Sequence, residues 1–333
     1  MSAKVREKTV DEIYKTRKWR ELIYSLGALL GLILLCVVLS VLSPHFLTVR
    51  NLMNIARQSA VNSLISVGML LAILTAGIDL SVGSILALAT TSMGILVVNF
   101  GLNPFLGMLV CLGIGALLGA INGLMLTKLH LPHPFIATLG MMNIARGLAL
   151  IITDATPVSG FPKSIQFFGA AFIGPVPVSF ILVLVVFSLF HIFLNRTAIG
   201  RYIYAVGGNI EAARLSGINV DRILTIVYTL SGLMAALGGL VLVGRVNAAY
   251  PLAGLGYELD AIAAAIIGGA SFFGGVGTVW GTLIGAMIMA VLRNGLNLLG
   301  VSADLQTVAI GVVIVAAVYI DVLRRRAAKQ DER

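Results

Sequence analysis

Charge is scarce in this chain. Asp, Glu, Lys and Arg make up 11% of its 333 residues, where a soluble domain carries about a quarter, so a water-soluble globular body is excluded. Aromatic residues are also few, at 7%, which leaves little ring surface for stacking against a ligand. Only two cysteines occur, Cys36 and Cys111, each inside an apolar run. With no CxxC they read as small hydrophobes, not as a disulfide or metal framework. His45, His130, His133 and His191 are scattered without metal-ligand spacing. There is no G-x-x-x-x-G-K-[ST] loop, G-x-S-x-G elbow or H-E-x-x-H helix. The chain is therefore expected to hold no catalytic site, metal or cofactor of its own. GGVGTVWG at 274–281 lacks G-x-G-x-x-G spacing and reads as a tight turn between membrane spans.

What the chain has in abundance is hydrophobicity. Hydrophobic residues make up 59% of it and the mean hydropathy is +1.02. Runs of about 18 to 22 apolar residues match a helix crossing about 30 Å of hydrocarbon. The spacing predicts an all-α polytopic membrane protein with about ten spans, near 22–42, 60–77, 79–99, 105–126, 134–153, 172–194, 223–244, 257–271, 275–292 and 305–323.

The net charge of +9 does not point to nucleic acid, because the basic residues are segregated. They cluster at the N-terminus (Lys4, Arg6, Lys8, Lys15, Arg17, Lys18, Arg20), in the 195–222 loop (Arg196, Arg201, Arg214, Arg222) and at the C-terminus (Arg324, Arg325, Arg326, Lys329, Arg333). The positive-inside rule places all three in the cytoplasm. An even number of spans must then separate the N-terminus from the loop, which requires residues 60–99 to cross twice. On this topology seventeen basic residues, Lys128 included, face the cytoplasm; five lie outside and Arg146 falls within a span. The expected division is a cytoplasmic segment 1–20 without a cleavable signal, a transmembrane domain 21–323 and a cytoplasmic tail 324–333. GALLGAI at 115–121 echoes GTLIGAM at 281–287, five spans apart, which raises inverted five-helix repeats. Gly-x-x-x-Gly matches are common in membrane helices, so the echo has a bland reading too.

The longest connection, NRTAIGRYIYAVGGNIEAARLSGINVDR at 195–222, reads as a docking element. Gly207 and Gly208 break the chain, and Asn209 caps a short helix IEAARLS. Glu211 suits the positive end of its dipole, and Gly217 supplies the left-handed residue that ends it. Such a helix can enter a partner's groove and pass rigid-body motion to the flanking spans.

With that loop, AGIDLSVGS at 76–84, PFIATLG at 134–140, GYELDAIAAAIIGGASFFGG at 256–275 and NGLNLLGV at 294–301 closely resemble the membrane permeases of ribose-type ATP-binding-cassette sugar importers, from about residue 40 to 323. The resemblance implies a homodimer in the bacterial inner membrane, with a cytoplasmic ATPase of two fused cassettes that binds ATP and Mg. It also implies a periplasmic sugar-binding protein and a monosaccharide substrate, ribose nearest. The GGN-EAA-SG pattern looks like the element that docks on the ATPase, which carries over to Gly208, Asn209, Glu211, Ala212, Ala213, Ser216 and Gly217. Ile210, between GGN and EAA, is the visible departure. A nucleoside or branched-chain amino acid permease is the alternative within the class, and an ion-coupled secondary transporter the alternative outside it.

Charged and polar groups at membrane depth are functional candidates. Asp79, Ser81, Arg146, Asn247, Glu258 and Asp260 are the candidates for the translocation pathway or its gate. Asp79 has a structural account as well: at a cytoplasmic turn made by Gly77, its carboxylate would accept the amides near Ser81 and Val82 and cap the third span. Glu258 and Asp260 read equally as helix caps or sugar ligands. Asp321, beside Arg324 to Arg326, reads as an interfacial residue.

Overall fold

Polar side chains mark where the helices begin. Oxygens of Thr48, Asn103, Thr197, Asn209, Asn219 and Thr278, and Nδ1 of His133, each accept a first-turn backbone amide, meeting orphan donors that lipid would leave unpaired. The computed structural model describes residues 27–129 and 131–330, with side chains to 322. Segment 1–20, His130 and the tail's side chains lie outside the described residues.

The helices are α1 (Gly27–Leu42), α2 (Val49–Leu74), α3 (Val82–Gly94, closed by a π turn at Ile95–Asn99), α4 (Pro104–Lys128), α5 (Pro134–Ile152), α6 (Lys163–Ala170), α7 (Val178–Arg196), α8 (Ala198–Gly208), α9 (Ile210–Leu215), α10 (Val220–Val246), α11 (Tyr257–Ile267), α12 (Val279–Leu298) and α13 (Ala303–Gln330). Among the described residues, strands are confined to two antiparallel pairs of two residues each, Val158–Ser159 (β1) with Ala248–Ala249 (β4) and Phe172–Ile173 (β2) with Val176–Pro177 (β3). The chain is an all-α polytopic membrane protein. Among the described residues, eight helices are long and apolar enough to cross a membrane: α2, α3 with its π turn, α4, α5, α7, α10, α12 and α13.

Three boundaries differ from the hydropathy reading. The second predicted span starts at Val49 instead of 60, because Thr48 caps a turn whose polar residues hydropathy had assigned to a loop. The predicted span 257–271 is a helix of only 11 residues, since Gly268, Gly269 and Gly274 break it into a turn. The last predicted span, 305–323, continues as helix to Gln330.

The long helix α10 is the centre of the bundle, packed by α4, α2, α6 and α3. Its seam with α4 is made of glycines. Gly115, Gly119 and Gly123 recur every fourth residue on one face of α4 and meet the α10 backbone at Gly232, Tyr228 and Thr225. In lipid, where the hydrophobic effect does not drive helices together, such close backbone approach supplies the packing energy. Gly281 and Gly285 of α12 do the same against Gly268 and Ala264 of α11. The echoing motifs are both packing seams, though against different partners. The contacts correspond more widely: α3–α4, α3–α5, α3–α10 and α4–α10 have counterparts in α11–α12, α11–α13, α11–α2 and α12–α2.

Candidate functional site

The 195–222 connection folds into two helices where one had been read. Asn209 is extended (φ −160°) and its Oδ1 accepts the Ala212 amide at 2.9 Å. At the other end Gly217 is left-handed (φ +81°). Its N–H bonds to the Arg214 carbonyl at 2.9 Å, and that of Ile218 reaches the Ala213 carbonyl at 3.1 Å. This is the Schellman ending that only glycine adopts without strain. Ala213 is buried and belongs to the main core cluster, and α9 packs on α8 and α10, which seats it on the bundle. Gly208, Asn209, Glu211, Ala212, Ser216 and Gly217 are exposed on its other side. Leu215 is 90% exposed, an unusual state for a leucine at the tip of an ordered helix. Glu211 and Arg214 pair at 3.2 Å on this surface, a contact weak enough to be exchanged for a partner's charges.

Inward, α8 touches two other turns directly. Gly207 abuts the carbonyl of Leu74, at the end of α2, and the amide of Gly275, between α11 and α12. Those two groups bond to each other, Gly275 N–H to Leu74 carbonyl, at 3.0 Å. The Tyr204 hydroxyl donates to the Gly277 carbonyl at 2.8 Å. A side chain at 207 would leave no room for this junction. On its far side Asp321 accepts from the Ser271 hydroxyl (3.3 Å) and the Phe272 amide (3.4 Å), which ties α13 to the same turn.

Beyond Leu74 the chain turns through Ala76 (φ +59°) and runs back into the bundle before α3 begins. Asp79 is not at the surface of that turn. It is fully buried, and Oδ2 accepts from the Ser231 hydroxyl at 2.8 Å. Ser231 is the twelfth residue of the 27-residue α10, about 17 Å along that helix, so Asp79 lies deep in the bundle. Its Oδ1 accepts the Ser81 amide (3.0 Å) and hydroxyl (2.5 Å), and Asn122 of α4 donates to Ser81 Oγ at 2.8 Å. The capping expectation is corrected accordingly: one amide, that of Ser81, is capped, while the remaining donors are the hydroxyls of Ser81, just before α3, and of Ser231 in α10.

The start of α11 mirrors this arrangement. GYELD at 256–260 repeats the pattern of GIDLS at 77–81, glycine, apolar, acid, leucine, polar. This signal went unread at the level of sequence because the match is short and only its glycine and leucine are identical. The helices that follow begin beside each other, with Gly83 of α3 against the Gly254 backbone and the Glu258 carboxylate. Two helix N-termini therefore meet inside the bundle, the arrangement that broken helices form around polar cargo.

Arg146 of α5 holds this crossing. It donates to the carbonyls of Pro251 (2.7 Å) and Ala253 (2.8 Å). The partner invisible in the sequence is thus backbone, in the segment between β4 and α11. Arg146→Ala is expected to cost about 1.5–3 kcal/mol, the worth of charged hydrogen bonds, with Arg146→Lys recovering part; thermal unfolding in detergent measures it. Asn247 takes a different role. Left-handed at the end of α10 (φ +55°), it accepts from the Phe161 amide (2.9 Å) and Gln166 Nε2 (3.2 Å), which fixes the α6 segment. Asp260, 5% exposed, pairs with Arg293 of α12 at 2.6 Å and caps nothing; Glu258 accepts from the Gly256 amide at 3.3 Å.

Residues 51–318 match the family described as branched-chain amino acid transport system, permease component. The ribose import permease protein RbsC of Escherichia coli strain K12 is 46% identical over 312 residues, 92% of this chain and 96% of that protein. RbsC of Bacillus subtilis strain 168 is 46% identical over 305 residues, 91% and 94% of the two chains. The D-allose transport system permease protein AlsC of E. coli K12 is 45% identical over 299 residues, 89% and 90%.

Proposed function

From the membership of this chain in the branched-chain amino acid transport permease family, on its ribose-type sugar branch, we propose the following working assembly. The chain is the multi-pass membrane permease of a monosaccharide ATP-binding-cassette importer, with ribose the best-supported substrate. It is a translocation subunit; a separate ATPase, built from two fused cassettes, binds ATP and Mg and hydrolyses the nucleotide. A periplasmic sugar-binding protein delivers the cargo, and two copies of the chain enclose the pathway. The proposed topology counts α1 and α11 with the eight longer helices found among the described residues, for ten spans, both ends cytoplasmic by the positive-inside rule, and the division 1–20, 21–323 and 324–333. The corresponding contacts of α2–α5 and α10–α13 support inverted repeats.

The observation that carries this reading is the α8–α9 element: ordered, capped at both ends, with Leu215 and the Glu211–Arg214 pair outward and Gly207 inward on two turns. Docked on the ATPase through Gly208, Asn209, Glu211, Ala212, Ser216 and Gly217, with Ala213 anchoring it from within, it converts ATPase motion into movement of the α2–α3 and α11–α12 turns. Glu211→Ala removes a docking charge. Gly217→Val forces a β-branched residue into the left-handed region at about 1–2 kcal/mol. Both are expected to uncouple binding-protein-stimulated ATP hydrolysis from uptake while the protein remains in the membrane. Normal transport in both would remove the docking assignment, and uptake without any ATPase would favour an ion-coupled transporter.

A further inference from the structure

Of five basic residues expected outside the membrane's inner face, two converge on one cavity. It measures about 150 Å³ and lies between α2, α10, α11 and α12, well above the ~10–15 Å³ that a single water needs. Resting on the proposed sugar-permease function, we propose that this cavity is a monosaccharide subsite within the permease, lined for hydroxyl recognition by Asn62, Arg245, Tyr257, Asp260 and Arg293.

The lining has the chemistry of a polyol site. Arg293 Nη2 reaches both oxygens of Asp260, at 2.6 and 2.8 Å. One nitrogen thus serves the whole carboxylate, and the other guanidinium N–H groups make no hydrogen bond to described residues. An adjacent pair of sugar hydroxyls fits such a pair, one donating to the carboxylate and the other accepting from the guanidinium. The ion pair also keeps both charges fixed across the α11–α12 seam.

Two further groups wait without partners. Asn62 Oδ1 is buried and accepts no hydrogen bond. Arg245, half-buried at the last turn of α10, makes no hydrogen bond or ion pair with any described residue. Leaving buried polar groups unpaired is costly, and both residues line the same cavity. Tyr257, on the first turn of α11, adds one of the chain's few aromatic faces. Toward the α8–α9 end the chain is sealed by the glycine seam, Gly268 on Gly281 and Ala264 on Gly285. The cavity therefore holds cargo above a closed seam, which the turn joined to Gly207 is placed to part.

The test uses the reconstituted importer and one added probe. Wild type must first import a monosaccharide from a panel carried by its binding protein; import of none would overturn the functional reading itself, a result separate from the subsite. A cysteine is then placed in the cavity by Ala290→Cys, Cys36 and Cys111 alone serving as the labelling background. The transported sugar, added at millimolar concentration, is expected to slow labelling of Cys at 290 by a small thiol reagent. Arg245→Gln and Asn62→Ala, each in that background, are expected to abolish this protection and to slow import by about tenfold, the loss of one hydrogen bond's worth of binding. A deoxy-sugar that the binding protein still carries should protect less than its parent. Labelling indifferent to every imported sugar, or import unaffected by both substitutions, would overturn the subsite and leave the cavity a water-filled gap beside a structural ion pair.

Discussion

Gly207→Val is expected to stop import while leaving the protein in the membrane. At 207 any side chain is directed at the Leu74 carbonyl and the Gly275 amide, which are hydrogen-bonded to each other at 3.0 Å. Neither can yield by rotating a side chain, because both are backbone. Gly274 (φ +84°) and Gly275 (φ +74°) are themselves held in the left-handed region, so the turn they form has no relaxed alternative nearby. Overpacking of this kind costs about 1–3 kcal/mol. That is small beside what holds the bundle together but large beside the energy by which a permease balances its inward and outward states. The expected result is a drop in uptake of more than tenfold, about 1.4 kcal/mol of lost coupling, at unchanged membrane level by immunodetection. Gly140→Ala on α5, where the added methyl meets open space, is the matched control and should transport normally. Wild-type uptake by the valine variant would show that the junction is not on the coupling route.

The parts of this architecture legible in the sequence were those set by local chemistry. The cap at Asn209 and the left-handed Gly217 follow from side-chain reach and from glycine's missing Cβ, and both stand where the letters placed them. The double crossing of residues 60–99 followed from charge bias, a property of the whole chain. What hydropathy missed had tertiary causes. α2 starts at Val49 because the polar turn from Arg50 to Gln58 is helical and faces two cavities, and averaged hydropathy reads such a turn as loop. α11 is short for a local reason instead, since the left-handed Gly269 and Gly274 turn the chain after Ile267, and averaged hydropathy reads straight through glycines. Arg146 could not be paired from sequence because its partners are carbonyls, which every residue carries. Of the six residues nominated for the pathway, the structure gathers Asp79 with Ser81, and Glu258 with the crossing that Arg146 holds. It sends Asn247 to the α6 segment and gives Asp260 the partner Arg293.

Asp79 offers the sharpest test of how a buried carboxylate is tolerated. Three donors converge on it: the Ser81 amide, the Ser81 hydroxyl and the Ser231 hydroxyl. Asp79→Asn keeps the Oδ1 acceptor, and its amide can donate to Ser231 Oγ, so a loss of about 1 kcal/mol is expected. Asp79→Leu removes every acceptor and leaves the donors buried beside hydrocarbon. At about 1–3 kcal/mol for each orphaned group, that variant is expected to lose about 3–5 kcal/mol, enough to release the start of α3 from α10. Detergent-solubilised thermal unfolding measures both changes. A double-mutant cycle separates the pair interaction from plain loss of packing. If Ser231 is held by Asp79, Ser231→Ala in the leucine background removes one unsatisfied donor, and the combined loss must fall short of the sum of the two single losses. Strict additivity would mean that the hydroxyl finds another partner and that Asp79 is held by Ser81 alone. A coupled loss would show that the break before α3 is fastened to the centre of α10, so that any movement of the α2–α3 turn driven from Gly207 is carried through this carboxylate to the crossing at Gly83 and Gly254.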